Sequence, residues 1–184
     1  TGARFNQPSG LASDGAGNLF VCEMINADIR QLTIANAQVS TLAGLAPQFG
    51  TADGTGAARF DTPGGLASDG AGSLFVADTD NHTVRRVDSS GAVVTIVGSA
   101  GNMGSNDGTG SGARFNRPLG LAFDGNDVLY IADTGNHAIR KLAIASGVVT
   151  TLAGSPGNSG ASDTGTGKFN HPSGLVADHQ GSLY

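Results

Sequence analysis

Short apolar runs alternate with polar, glycine-rich turns along the whole chain. In the clearest stretch, Leu66 to Asp69 is an apolar run that ends in a polar turn, and Ser73 to Ala77 is rich in aromatic and β-branched residues. His82 to Val87 and Val93 to Val97 follow the next two turns. Short runs of this kind between Gly, Asp, Asn and Ser are typical of β-strands, and no helical period interrupts them. The stretch therefore predicts consecutive strands.

The turns indicate that these strands pair as antiparallel neighbours. Gly70-Ala71-Gly72 allows the backbone to reverse, because glycine adopts positive φ without steric cost. Asp78 to Asn81 supplies carboxylate and amide groups that can bond the turn backbone. A set of short antiparallel strands joined in this way is one blade of a β-propeller.

The pattern repeats with a nearly constant period. Phe5, Phe60, Phe115 and Phe169 begin successive copies and are separated by 55, 55 and 54 residues. A fixed period of this order is the sequence signature of repeat architectures. The sequence thus predicts an all-β fold, a β-propeller of four-stranded antiparallel blades.

The repeats divide the chain into one propeller segment, residues 1–184, with three complete blades and half of a fourth. The blades lie at about 5–54, 60–109 and 115–164, and the partial blade at 169–184. The other predicted strands are Gly10–Asp14, Asn18–Cys22, Ile29–Leu32 and Val39–Gly44 in the first copy, and Gly120–Asp124, Val128–Ala132, Ala138–Leu142 and Val148–Gly154 in the third.

The stretch PGGLASDGAGSLFVADTDNHTVRRV, residues 63–87, resembles the NHL repeat, which is named for the Asn, His and Leu of its signature. It is also similar to the blades of bacterial multi-repeat surface proteins. The resemblance implies a propeller, usually of six blades, that serves mainly as a binding platform, although some relatives of similar shape are enzymes. The first copy departs from the pattern, with Glu23, Asn26 and Ala27 where Asp78, Asn81 and His82 stand.

The fourth copy stops inside its predicted second strand, Ser182 to Tyr184. Propeller blades bury their faces against neighbouring blades, and open strand edges pair readily with other chains. We therefore expect the chain to be part of a longer protein. We also expect that it forms no compact monomer alone, and that it continues into further blades or associates through its terminal blades.

Composition and charge narrow the possible partners. The chain carries a net charge of −5 with 30 glycines and no Trp, and no apolar run approaches the roughly 18 residues of a membrane helix. Lys and Arg recur evenly by blade rather than forming a basic stripe with interleaved aromatic residues, so nucleic-acid binding is not expected. Cys22 occupies the place of Ala77 and Ala132, which predicts a small buried position.

Acidic residues recur at the end of every first strand. In a propeller these strands line the central channel, so a ring of carboxylates is one interpretation. Each carboxylate is followed by Gly or a similar turn position, and bonding to its own turn is the favoured role. These residues are Asp14, Asp69, Asp124 and Asp178.

The repeated histidines and arginines are also assigned structural roles. His82 and His137 recur by blade, whereas a reaction centre needs one asymmetric set of groups, so we expect them to pack between blades and bond to backbone. We expect Asp78 with Arg85, and equally Asp133 with Arg140, to form exposed inter-strand ion pairs of small energetic value.

The connections between successive blades are longer than most loops. Leu45 to Arg59 and Ser99 to Arg114 each contain Asp-Gly-Thr-Gly, and we expect them to be ordered, to fold over the next blade and to use Thr hydroxyls as backbone caps. Calcium is an alternative, but each loop offers one carboxylate where Ca²⁺ takes about six to eight oxygens. The loops and the Asn-His turns share one face, whose candidate ligand-binding residues are Asn26, Asn81, His82, Asn136, His137, Asp53, Asp107 and Asp163.

Three function classes remain open at this point. The first is a non-catalytic NHL-repeat binding or structural module for a protein or glycan, extracellular or at the cell surface, with no catalytic residue, no metal ligand and no cofactor. The second is a propeller hydrolase or lyase with a channel metal, which needs a polar residue unique to one first strand, whereas only apolar Phe123 and Val176 vary there. The third is an assembly protein whose open blade ends pair between chains.

Overall fold

The computed structural model of the protein describes residues 2–184. Its strands lie in three antiparallel sheets, which confirms the predicted blades. The first blade contains β1 (Pro8–Ser13), β2 (Asn18–Glu23), β3 (Asp28–Thr33) and β4 (Gln38–Gly44). The second contains β5 (Pro63–Ser68), β6 (Ser73–Asp78), β7 (Thr83–Asp88) and β8 (Val93–Gly98). The third contains β10 (Pro118–Phe123), β11 (Val128–Asp133), β12 (Ala138–Ala143) and β13 (Val148–Gly154).

The third blade has a fifth strand that the sequence did not predict. This strand, β9 (Gly108–Thr109), belongs to the connection after the second blade and pairs antiparallel with the start of β13. The equivalent glycine of the preceding connection, Gly54, forms an isolated bridge with Val93 at the start of β8. Each of these connections thus crosses to the outer edge of the following blade.

The first strand of each blade begins earlier than predicted. The ladder between β5 and β6 starts at Pro63 and shifts register before Leu66, and the same irregularity occurs in the other two blades. In the partial fourth copy, backbone bonds join Val176 and Tyr184 in both directions, but the expected strands are reduced to an isolated bridge between Ala177 and Leu183.

The innermost strands approach so closely that only glycine fits at the contact. A Cβ atom on Gly65 would overlap the carbonyl oxygen of Leu119, and one on Gly120 would overlap that of Ser173. Because a side chain on either residue would force two backbones apart, the glycine after the Pro-x pair of each complete blade is required by the packing of neighbouring blades.

Apolar side chains fill the spaces between blades. Phe20 and Cys22 pack against Val76 and Phe60 between the first and second blades, and Phe75 packs with Leu129 and Ile131 between the second and third. The burial of Cys22 is as predicted. The helices found within residues 2–184 are two short 3-10 turns, Gly110–Gly112 and Thr134–Asn136, and none is long and apolar enough to cross a membrane.

Candidate functional site

A buried carboxylate organises the turn between the second and third strands of each blade. Asp78 is fully buried and accepts hydrogen bonds from the Asp61 backbone N–H (2.7 Å), Asn81 Nδ2 (2.8 Å) and Arg85 Nη1 (2.7 Å). The third blade repeats this arrangement around Asp133. The predicted Asp–Arg pairs are confirmed, but the expectation that they are exposed is wrong, because the loops and the repeat's leading Phe cover them.

Arg85 uses all its N–H donors. Nη1 donates to Asp78 and to the Arg59 carbonyl oxygen, while Nη2 donates to the Ala52 carbonyl oxygen (2.8 Å) and to Asp53 Oδ1 (2.6 Å). Nε also donates to Asp53 Oδ1 (3.1 Å). The guanidinium carbon lies 5.1 Å from the ring centre of Phe60, within range of a cation–π contact. The Phe that begins each complete repeat therefore packs against the arginine of its own blade.

The loop aspartates connect each blade to the next one. Asp53 also accepts hydrogen bonds from the backbone N–H and the hydroxyl of Thr95 in β8 (both 3.1 Å). Asp107 accepts hydrogen bonds from Arg140 Nη2 (2.8 Å) and the Thr151 hydroxyl (2.9 Å), but Arg140 Nε, unlike Arg85 Nε, has no partner within residues 2–184. These contacts confirm that the loops fold over the next blade. The hydroxyls that bind these aspartates belong to the fourth strand. Of the loop threonines, Thr166 caps a backbone group as expected, with its hydroxyl donating to the Gly154 carbonyl oxygen (3.5 Å).

We call this group the arginine cluster: a strand-end acid, an Asn, an Arg, a Phe and a loop aspartate. The second blade's cluster is Asp78, Asn81, Arg85, Phe60 and Asp53, the third blade's is Asp133, Asn136, Arg140, Phe115 and Asp107, and the first blade's is Glu23, Asn26, Arg30 and Phe5.

Burial and hydrogen bonding shift the pKa values of the carboxyl groups in the clusters in opposite directions. Burial raises the pKa of Asp78 to about 6, although Asn81 and Arg85 act against this change. Burial also favours a higher pKa for Asp107, but bonds from Thr151 and Arg140 outweigh it, and the pKa of Asp107 is lowered. At neutral pH Asp78 and Asp107 are both anions, and each binds the arginine of its own cluster.

The repeated histidines join neighbouring blades, as predicted. His82 and His137 adopt left-handed backbone conformations, with φ of 58° and 56°. Their Nδ1 atoms accept hydrogen bonds from the backbone N–H groups of Arg117 and His171, each at 3.1 Å in the next blade. Burial lowers the pKa of His82, which favours the neutral ring that can accept such a bond.

The carboxylates at the ends of the first strands form turns. Asp69 Oδ1 accepts the backbone N–H groups of Ala71 and Ser73, both at 2.8 Å, and the equivalent residues do the same. The central cavity, of about 340 Å³, is lined by Gly, Leu and Ser of the first strands, without an acidic residue from the described part of the chain. This confirms the turn role over the ring of carboxylates.

The first blade contains an acidic residue that the sequence reasoning missed. Asp28 is buried, lies opposite Glu23 in the ladder of β2 and β3, and takes the place of Thr83 and Ala138. Burial and the charge of Glu23 raise its pKa to about 6, against the effect of Arg30. The other two complete repeats have Thr or Ala at this position, and this difference could have drawn attention to Asp28.

The predicted site residues differ in how far their side chains are exposed to solvent. Asn81 and Asn136 are buried, and their amides also donate to the carbonyl oxygens of Gly50 and Gly104. Asn26, His82 and His137 are half-buried. The loop aspartates Asp53, Asp107 and Asp163 are exposed, and Asp163 makes no recorded side-chain bond within residues 2–184. No group of three or more His, Cys, Asp or Glu side chains in this range is arranged to hold a metal.

The loop tips beside the Asn-His turns expose large apolar side chains. Phe49 is 51% exposed and Met103 is 69% exposed. Each directly precedes the glycine whose N–H bonds to the carbonyl oxygen of the repeat's leading Phe, so the backbone beneath each tip is fixed. We call the surface formed by the loops at 45–59, 99–114 and 155–168, together with the Asn-His turns, the loop face.

Comparison with known proteins agrees with this geometry. The NHL repeat profile matches residues 60–94 and 115–142. NHL repeat-containing protein 2 of Bos taurus is 40% identical over 140 residues, which make up 68% of this chain and 19% of that protein. The chain spans 12–19% of the lengths of the curated relatives it matches.

Solved structures share the fold at low sequence identity. A protein of unknown function from Bacteroides thetaiotaomicron superimposes with a TM-score of 0.78 at 22% identity, over 97% of this chain and 44% of that one. A virginiamycin B lyase from Staphylococcus aureus superimposes with a TM-score of 0.65 at 15% identity, over 100% of this chain and 50% of that one. At these identities the likeness shows the propeller fold and no shared activity.

Proposed function

We propose, from the premise that the chain belongs to the NHL-repeat family, that it is a non-catalytic protein-binding segment of a larger β-propeller, in which the loop face contacts the partner. We further propose that it acts outside the cell or at the cell surface. That placement is supported by the resemblance of its blades to those of bacterial surface proteins.

One observation carries the non-catalytic part of the proposal. The polar side chains that could act in catalysis or bind a metal recur by blade, and they already form hydrogen bonds within the structure. Asp78 and Arg85 bond to each other, His82 bonds to the next blade, and Asp69 bonds to its own turn. An active site needs an asymmetric set of groups positioned around a substrate, whereas these groups are repeated and occupied.

The exposed apolar tips favour a protein as the partner. Phe49 and Met103 lie at equivalent places in successive connections, next to polar turns. Exposed aromatic and Met side chains inside a polar rim are typical of protein interfaces. The backbone hydrogen bonds beneath each tip support the view that little conformational entropy is lost on binding.

The interface is tested by site-specific photo-crosslinking of the full-length protein in its native host. A photoreactive residue at Met103 is compared with one at Val94, which is 42% exposed but lies on the outer strand β8 away from the loop tips. We expect a discrete protein adduct from position 103 and none from position 94. Equal labelling from both positions, or none from either, contradicts the proposal.

The non-catalytic part is tested separately by metal analysis. Purified protein is dialysed and its zinc and calcium content is measured, with Asp69→Ala as the matched variant. We expect no stoichiometric metal in either sample. A metal that survives dialysis and is lost in Asp69→Ala would support the hydrolase or lyase alternative instead.

A further inference from the structure

A cavity of about 260 Å³ lies between the first and second blades. We call it the inter-blade pocket, and we propose that it is a binding site for one neutral sugar ring. It is lined by turns that join first to second strands and third to fourth strands, whereas the Asn-His turns join second to third strands at the opposite end of the blades. The pocket therefore lies away from the loop face, and the proposal does not depend on the protein partner proposed there.

The second blade gives the pocket a polar wall where the third blade has an apolar one. The ladders of the two blades show which residues are equivalent. The four polar wall positions of the second blade are Ser68, Ser73, Asp88 and Ser89, and the third blade has Phe123, Val128, Ala143 and Ile144 in their places.

The apolar wall fills the next cleft. Between the second and third blades, Phe123 packs against Phe75 with ring centres 5.9 Å apart, and Ile144 packs against the same core. The equivalents of this aromatic pair at the first cleft are Phe20 and Ser68, and both line the pocket. The pocket thus exists because a serine occupies the place of a phenylalanine.

The pocket combines an apolar floor with polar groups that can bind a ligand. Phe20, Leu42 and Leu74 form the apolar part. The Gln31 amide and the Ser89 hydroxyl line the pocket and make no recorded hydrogen bond within residues 2–184. An amide and a hydroxyl both donate and accept hydrogen bonds. A sugar ring matches this combination, because its hydroxyls also donate and accept while its C–H groups can pack on an apolar surface.

The charges of the pocket favour a neutral ligand. Its lining, which lies within residues 2–184, contains two carboxylates and no Lys or Arg, so an anion would be repelled. Asp14 is already bound by its own turn, with Oδ1 accepting the Ala16 and Asn18 N–H groups and Oδ2 accepting Asn18 Nδ2. The Oδ2 atom of Asp88, which makes no recorded bond in the same range, can accept a ligand hydroxyl.

The rim of the pocket is held in place. Asp88 Oδ1 accepts the backbone N–H groups of Ser90 (2.8 Å) and Ala92 (3.0 Å), which fixes the turn that carries Ser89. A Cβ on Gly91 of this turn would overlap the Leu42 carbonyl oxygen, so the turn packs directly on the first blade. A fixed rim loses little conformational entropy when a ligand binds. The volume lies just below the range of about 300–1,000 Å³ for drug-sized ligands, which limits the ligand to one ring.

The test uses the full-length protein and four neutral sugars: glucose, galactose, mannose and xylose. Ligand-observed saturation-transfer NMR detects weak binding to a large protein, and calorimetry measures the affinity. We expect at least one of these sugars to bind saturably with a dissociation constant in the millimolar range or below. Failure of all four to bind at millimolar concentration overturns the proposal.

The location of the site is tested with Ser68→Phe, which places in the pocket the residue that the next blade carries there. This variant is expected to fold and to bind the sugar at least about tenfold more weakly. Ser13→Phe is the matched control, because Ser13 and Ser68 are equivalent and each accepts a turn glycine N–H at 3.1 Å, but Ser13 does not line the pocket. The control is expected to bind as the wild type does. Undiminished binding by Ser68→Phe overturns the proposal.

A second variant, Gln31→Met, decides the matter if Ser68→Phe does not fold. Gln31 is half-buried and makes no recorded side-chain bond within residues 2–184, so the change removes an amide on which the fold does not depend. We expect the sugar to bind about fivefold more weakly, the effect of losing a neutral hydrogen bond. An unchanged affinity in Gln31→Met overturns the assignment of the sugar to this pocket.

A small cationic amine is the competing ligand, because Asp88 leaves a carboxylate oxygen at the rim. Ethanolamine is therefore titrated under the same conditions as the sugars. We expect it to bind more weakly than the best sugar, since the pocket offers one available carboxylate oxygen among neutral groups. Tighter binding of ethanolamine than of every sugar overturns the proposal.

Discussion

The arginine clusters of the first and second blades both contain an acidic residue, an Asn, an Arg and a Phe. In the second blade the arginine also binds a loop aspartate, Asp53, and in the first blade the recorded bond of the arginine is to Glu23. The side chain of Arg85 is 1% exposed and makes five hydrogen bonds, four of them to the preceding connection. The side chain of Arg30 is 16% exposed and makes one recorded bond, to Glu23. The bonds that Arg30 lacks are those that the crossing connection supplies to Arg85.

This comparison shows that a blade does not complete its own polar core. Two oppositely charged groups taken out of water are stabilised only when further hydrogen bonds satisfy their remaining donors and acceptors. In the second blade, Ala52 and Asp53 of the preceding connection supply those bonds. The buried ion pair therefore couples the stability of each blade to the chain before it.

Removal of the arginine is expected to give the largest difference between the two blades. Arg85→Met leaves the buried Asp78 without its cation and is expected to lower the free energy of unfolding by about 3–5 kcal/mol. Arg30→Met is expected to cost less than half as much, because the side chain of Arg30 is more exposed than that of Arg85 and makes one recorded hydrogen bond instead of five. Urea unfolding of both variants measures the difference.

The matched control for this pair is Arg86→Met. Arg86 is the neighbour of Arg85 in β7 but is exposed, so its loss is expected to change the free energy of unfolding by less than about 0.5 kcal/mol. Equal losses for Arg85→Met and Arg30→Met would show that the crossing loop adds nothing to the ion pair.

The second prediction concerns Asp28, which the other blades replace with Thr83 and Ala138. Its folded pKa of about 6 lies above the ordinary value of 3.8, so the folded state holds this proton more tightly than the unfolded state. The resulting stabilisation is fully present below about pH 4 and is lost as the pH rises to about 6. Asp28→Asn is expected to match the wild type near pH 4 and to exceed it by about 2 kcal/mol at pH 7.

The control for the pH profile has the opposite sign. Hydrogen bonds from Ser90 and then from Ala92 lower the pKa of Asp88, so its ionised form favours folding at neutral pH. Asp88→Asn is expected to lower the melting temperature at pH 7 and to have a smaller effect at pH 3. A pH-independent difference between Asp28→Asn and the wild type would contradict the role assigned to Glu23 and Arg30 around Asp28.

The sequence predicted the blades because strand and turn signals are local. The alternation of apolar runs and glycine turns, repeated from each leading Phe, predicted the antiparallel four-stranded arrangement, and the turn role of Asp69 and the inter-blade role of His82 followed from residue type and repetition. The early start of β5 was missed, because its Pro-Gly-Gly segment has little strand propensity and is held by the neighbouring blade.

The contacts of the candidate site were less accessible to sequence reasoning. Asp53 and Arg85 are 32 residues apart, and they meet only because the connection crosses to the edge of the next blade. The burial of the ion pair depends on the same crossing. The pKa of Asp28 depends on the cross-strand position of Glu23, so a change of residue at one repeat position signalled a difference but not its consequence.

The smallest expected effect on stability is the difference between two loop aspartates, Asp53 and Asp163. Asp53 is 45% exposed on its side chain but binds Arg85 and Thr95, and we expect Asp53→Ala to lower the free energy of unfolding by about 1 kcal/mol. Asp163→Ala is expected to have no measurable effect, because Asp163 has no recorded side-chain bond in the described chain.

Hydrogen exchange tests whether the loop that carries Asp53 is ordered. The Gly54 N–H bonds to the Val93 carbonyl oxygen at 2.9 Å, so it is expected to exchange slowly in the wild type and faster in Asp53→Ala, which loses the side-chain contacts that hold the loop on β8. If this amide exchanges in the wild type as fast as in a free peptide, the loop does not seal the second blade. The difference between the first and second blades would then have to arise within their own strands.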